Sequence, residues 1–149
     1  MEIKLDIESF KFNPKGLSTG VLFLSSNGYQ FPDNSWDDFL DLILIWWAEK
    51  LTQLIESREE WYYEMPYMDG PCSWRIDFKG KNNVTIECIR NEKIEYKFES
   101  SIEEILKELL EATNSILRYC AEKKLSNENL LVLEKHFKKL QSLRSTLKF

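Results

Sequence analysis

Between Trp61 and Phe98 the chain is written almost wholly in a period of two. Trp61, Tyr63, Met65 and Tyr67 alternate with Tyr62 and Glu64, and Trp74, Ile76 and Phe78 with Arg75, Asp77 and Lys79. Val84, Ile86 and Cys88 then alternate with Thr85 and Glu87, and Ile94, Tyr96 and Phe98 with Glu95 and Lys97. Successive side chains of a strand point to opposite faces, so each run reads as a strand with one covered and one wetter face. The interruptions at Asp69-Gly70-Pro71, Lys81-Asn82-Asn83 and Asn91-Glu92 carry turn-forming residues. Four such runs joined by short links predict an antiparallel meander.

The first link, Tyr67-Met68-Asp69-Gly70-Pro71-Cys72-Ser73-Trp74, gathers a carboxylate, a thiol and a hydroxyl within a few residues. It reads as a hairpin connection and not as a catalytic loop. Glycine tolerates positive φ and proline stops a ladder. Cys72 has no activating base nearby in sequence, and Ser73 lacks the G-x-S-x-G context of a nucleophile elbow.

Upstream, Ile3, Leu5 and Ile7 alternate with Lys4 and Asp6, and the phase slips at Ser9 before Phe10 and Phe12 resume it. A strand with a bulge near Ser9 accounts for the slip. A turn at Asn13-Pro-Lys-Gly16 precedes a second, more buried strand over residues 20–24, which ends at Asn27-Gly28. A helix is then expected from Ser35 as N-cap, with Asp37 and Asp38 in its first turn and Trp36, Phe39, Leu40, Ile43, Trp46, Trp47, Leu51, Leu54 and Ile55 at helical spacing. Two more helices close the chain. Ser101-Ile-Glu-Glu104 is a capping box, and Ser126 or Asn127 caps the last helix. The short link at residues 123–125 predicts an antiparallel helical hairpin. The expectation is α+β, a mostly antiparallel sheet in the order ββαββββαα with helices packed on one face, in a single domain of residues 1–149.

Several function classes find no support. The longest apolar run, residues 43–48, is far below the roughly 20 residues that span a bilayer, and the N-terminus has no signal-peptide pattern. The expected location is the cytoplasm, with no membrane partner. Cys72, Cys88 and Cys120 are odd in number and widely spaced, and read as reduced thiols. His136 is the only histidine, so neither a metal centre nor a catalytic histidine pair is expected, and no catalytic residue, metal or cofactor is assigned.

Charge is distributed unevenly. Residues 29–70 hold ten acids against Lys50 and Arg58, a segment charge of −8 in a chain of −5. They also hold ten of the twenty aromatic residues. The C-terminal residues from Lys135 carry Lys135, Lys138, Lys139, Arg144 and Lys148 with no acid. An acidic, aromatic-rich segment suits a protein-binding surface, where aromatics anchor and the acidic field steers a basic partner. The same balance argues against nucleic acid as the ligand. The expected partner-binding residues are Asp37, Asp38, Asp41, Glu60, Tyr62, Glu64 and Asp69. Asp37 and Asp41 are four apart, on one face of the expected helix, and Tyr62 and Glu64 are expected outside because Glu is rarely buried.

The stretches SWDDFLDLILIWW and YMDGPCSW resemble small cytosolic immunity proteins of bacterial polymorphic and contact-dependent toxin systems. The resemblance runs over residues 29–90 and lies in aromatic and acidic pattern, with no residue-level motif. It implies an inhibitor without catalysis that binds and blocks one cognate toxin domain. Two alternatives remain open on the sequence. One is a small-molecule or peptide-binding module with Trp61, Tyr63, Trp74 and Trp46 lining a pocket. The other is a structural protein that self-associates through its last helices. The identity of a toxin partner and the oligomeric state are not expressed in the sequence.

Overall fold

A computed structural model describes residues 1–68, 70–80 and 82–147. The elements are β1 (Glu2–Lys11), β2 (Thr19–Ser26), β3 (Tyr29–Phe31), β4 (Asp37–Phe39), α1 (Leu40–Glu56), β5 (Tyr62–Pro66), β6 (Cys72–Asp77), β7 (Asn83–Arg90), β8 (Lys93–Ser101), α2 (Ile102–Glu122) and α3 (Glu128–Thr146). The fold is α+β in the expected order, with two three-residue strands added before the first helix. The strands form two antiparallel sheets and not one. β2 pairs with β1, β3 and β4, and β5 to β8 form the meander in chain order.

The separation of the sheets has a local cause. β2 is shared out along its length: Ser26, Ser25 and Leu24 pair with β3, and Val21, Gly20 and Thr19 pair with β4. Both edges of β2 are thereby used before the meander begins. The bulge at Ser9 is present, because the β1–β2 register shifts between Asp6 and Lys11. Ser9 Oγ donates to the Asp6 carbonyl at 2.5 Å and accepts from the Val21 N–H at 2.8 Å, so the side chain fills the gap in the ladder.

The first helix starts later than the sequence suggests. Ser35 does not cap it. Residues 37–39 are extended in β4, and the N-cap position falls on Phe39, which offers no side-chain hydrogen bond. Asp37 therefore lies in a strand, and it shares no helix face with Asp41. The later caps stand where expected. Ser101 Oγ accepts from the Glu104 N–H at 3.1 Å, and Asn127 Oδ1 accepts from the Leu130 N–H at 2.9 Å. Asn127 Nδ2 also donates to the Asn13 carbonyl at 2.8 Å, which fixes the start of α3 on the β1–β2 turn.

α1 is the central element. Ten of its 17 residues are buried, and it packs on β5 and β2 as well as on α3. Trp47 is fully buried, edge-on to Tyr67 at 5.3 Å and to Trp74 at 5.2 Å, and its Nε1 donates to the Pro66 carbonyl at 2.7 Å. Such edge-to-face pairs add roughly 1 kcal/mol each beyond area burial. The inner face of the meander is Tyr63, Met65, Trp74, Ile76, Val84, Ile86, Cys88 and Phe98. The alternation places Ile94 with them, but the β7–β8 register shifts between Cys88 and Ile89, and Ile94 is exposed.

The two sheets meet at β3. Tyr29 stacks on Tyr96 of β8 at 4.2 Å and donates its hydroxyl to Glu95. Arg90 of β7 donates to Glu95 at 3.0 Å and to the Pro32 carbonyl at 2.6 Å.

Candidate functional site

The acids of residues 29–70 divide into structural and exposed groups. Asp41 is fully buried. Its two carboxylate oxygens accept from the Ser18 N–H at 3.2 and 3.1 Å, which ties the start of α1 to the start of β2. Burial raises its carboxyl above the ordinary aspartate value, while the Ser18 and Leu42 N–H groups pull it back down. Asp38 is also buried. It accepts from Trp36 Nε1 and from the Met68 N–H, both at 3.1 Å, and so holds the β5–β6 connection against β4. Neither carboxylate can meet a partner without unfolding its surroundings, and the expectation that both contribute to a binding face is corrected accordingly. Asp37 is exposed in β4. Asp69 lies outside the described residues.

Two further acids on α1 are matched across the fold by the basic last helix. Glu56 pairs with Lys139 at 3.4 Å, and Glu49 lies 3.6 Å from His136. The −8 of the linear segment is therefore partly absorbed inside the molecule. Of the remaining exposed acids, Glu59, Glu60 and Glu64 stand around the entry to β5, while Asp33 and Asp37 lie before and within β4.

That entry also carries the largest exposed rings. Trp61 is 66% exposed and Tyr62 is 50% exposed. Tyr62 and Glu64 point outward as expected. Trp61 does not join Tyr63 inside, because it stands one position before the strand, past the end of α1. Its carbonyl is still paired, accepting from the Phe78 N–H at 2.7 Å. The ring lies at a shallow cleft of about 200 Å³ shared with Phe78 and Gly80. The sequence signal for its exposure was the polar approach Ser57-Arg-Glu-Glu60, which leaves no apolar cover next to it.

Behind Tyr62 the outer face of the meander is a ladder of charge. Glu64, Arg75 and Glu87 are cross-strand neighbours, and Lys97 follows on β8. Arg75 lies over the Tyr62 ring at 4.4 Å and donates to Glu87 at 2.8 Å. Glu87, almost fully buried on this face, also pairs with Lys97 at 3.3 Å, and Ser73 Oγ donates to Glu64 at 2.8 Å. Tyr62 is thus held from beneath by a guanidinium that is itself fixed, a rigid aromatic platform with its far side in water.

The Tyr67 N–H donates to the Cys72 carbonyl at 3.3 Å, so β5 and β6 are joined as a hairpin, as expected. Gly70 has φ of +77°, and a Cβ there would meet Trp36 Cη2 at 2.8 Å. The Cys72 thiol is buried, and burial pushes its pKa up, opposite to the activation a nucleophile needs. The four aromatics of the pocket alternative are not gathered: Tyr63 and Trp74 are core residues, Trp46 is half-buried and Trp61 stands outside. Among the described residues, no group of three or more His, Cys, Asp or Glu could hold a metal ion, and no helix is long and apolar enough to cross a membrane. Comparison with protein-family models, curated proteins and solved structures finds no match to this chain.

Proposed function

We propose that this protein is a non-catalytic inhibitor, an immunity-type protein that binds a basic toxin domain through the entry to β5. The observation that carries the reading is the exposed Trp61–Tyr62 pair flanked by Glu59, Glu60 and Glu64. Two large exposed rings at the start of a strand favour covering by a partner, because aromatic anchors supply much of the energy of an interface. The carboxylates around them favour a cationic partner and speed its encounter. The resemblance to immunity proteins supplies the partner class. Cys72, Cys88 and Cys120 are all free and buried, which supports a reducing compartment and hence the cytoplasm.

The test is binding to the product of the adjacent gene, at low and moderate ionic strength. Trp61→Ala and Tyr62→Ala should each weaken binding by on the order of 2 kcal/mol, about thirtyfold, mainly by faster dissociation. Reversing Glu60 and Glu64 to Lys should slow association and flatten its salt dependence. Full affinity in all these variants would place the interface elsewhere.

A further inference from the structure

We propose that the partner is held by strand addition: an extended, lysine- or arginine-bearing segment of a second protein pairs with the free edge of β5. The inference rests on the functional reading above and specifies how that site is used. It comes from the hydrogen-bond parity of the strand.

The Phe78 N–H donates to the Trp61 carbonyl, and the Tyr67 N–H donates to the Cys72 carbonyl. With the register Tyr62↔Asp77 to Pro66↔Ser73, the odd-numbered residues of β5 turn their backbone groups toward β6. The N–H and C=O of Tyr62 and Glu64 therefore face away from the sheet, and no described residue takes them up. The edge is closed at its far end, since Pro66 has no N–H and its carbonyl accepts from Trp47. What remains open is a short edge of two residues, beside the exposed rings of Trp61 and Tyr62.

The other outer strands are guarded differently. On β1 the Ile3 N–H is taken by Glu108 of α2 at 2.9 Å. On β8 the residues facing outward include Lys97 and Glu99, of opposite charge, which blunt an edge against added strands of either sign. β5 itself carries a single charged side chain, the acidic Glu64. A second copy pairing there would bring its own Glu64 onto the same face of the joint, like charge beside like, whereas a basic segment is complementary.

The probe is a blocked peptide of alternating valine and lysine, with a control N-methylated on the residues whose N–H groups would face β5. Amide exchange of Tyr62 and Glu64 and the emission of Trp61 are followed as peptide is added to millimolar concentration. The expected result is at least tenfold slower exchange at both amides and a shift in Trp61 emission, neither of which the methylated peptide produces. Glu64→Pro removes one outward N–H and should abolish the effect, with circular dichroism confirming the fold. Unchanged exchange at both amides with the unmethylated peptide would overturn the proposal. So would a dimer, detected by sedimentation without peptide, that already protects them. Binding of the adjacent gene product separates the two readings. If it binds while leaving both amides unprotected, strand addition fails and the inhibitor reading stands. If it does not bind while the peptide protects, the inhibitor reading fails and the edge site stands.

Discussion

Asp37, Asp38 and Asp41 carry the same side chain within five positions and have three different fates. Asp37 is solvated, Asp38 latches a loop, and Asp41 clamps the backbone of Ser18. The pH dependence of stability should report the difference. Burial raises the folded pKa of Asp41, so its contribution is fully present below the unfolded value near 3.9 and is lost as pH rises through the folded value. In Asp41→Asn that loss disappears. Denaturation curves across acid to neutral pH should show the variant gaining on the wild type as pH rises, and a gap independent of pH would refute the assignment. At Gly70 the constraint is steric. Gly70→Ala meets both a left-handed backbone and the Trp36 ring, and should cost about 1–2 kcal/mol or more in urea unfolding with an unchanged m-value.

At the scale of elements, the β7–β8 hairpin turns through Asn91 and Glu92, at φ of +52° and +66°. This is a two-residue connection between Arg90 and Lys93 with both central residues left-handed, the geometry that Asn-Gly serves best. Glu92→Gly should therefore stabilise the protein, by up to about 1 kcal/mol after the entropic cost of glycine, and no gain in thermal midpoint would count against the local account. The edge of β5 presents the opposite case. The exposed Trp61 ring contributes little to the fold, so Trp61→Ala should leave stability within about 0.5 kcal/mol while binding weakens about thirtyfold.

For the whole molecule, the joint between the sheets is the contact of β3 with the β7–β8 hairpin. The Arg90 guanidinium, and after it the Tyr29 hydroxyl, hold the Glu95 carboxyl below the ordinary glutamate value. A depressed acid stabilises above its unfolded pKa and loses that contribution as pH falls through the folded one. Glu95→Gln should therefore be less stable than the wild type at neutral pH, and the two should converge as pH falls through the lowered folded value. Convergence at no acidic pH would mean that the joint is held by the Tyr29–Tyr96 stack alone. The interior thiols should titrate as a set. All three should resist alkylation in the native state, since burial raises each thiol and pushes Cys88 up to about 12, and all three should react once the chain is unfolded.

The sequence by itself determined what depends on near neighbours along the chain. The period of two between residues 61 and 98 dictated the meander and its inner face, Trp61 and Ile94 excepted, the slip at Ser9 dictated the bulge, and Ser101 and Asn127 set the helix starts. It also placed Tyr62 and Glu64 outside. The tertiary structure decided what depends on a partner far away. Asp41 is buried because the backbone of Ser18, 23 residues earlier, offers it a donor, and Asp38 because Met68, 30 residues later, does the same. Helical spacing between Asp37 and Asp41 gave no hint of either, since β2 drew residues 37–39 into a strand. Whether an acid is surface charge or structural acceptor is set by which backbone groups reach it, and chain folding alone brings those groups within hydrogen-bond distance.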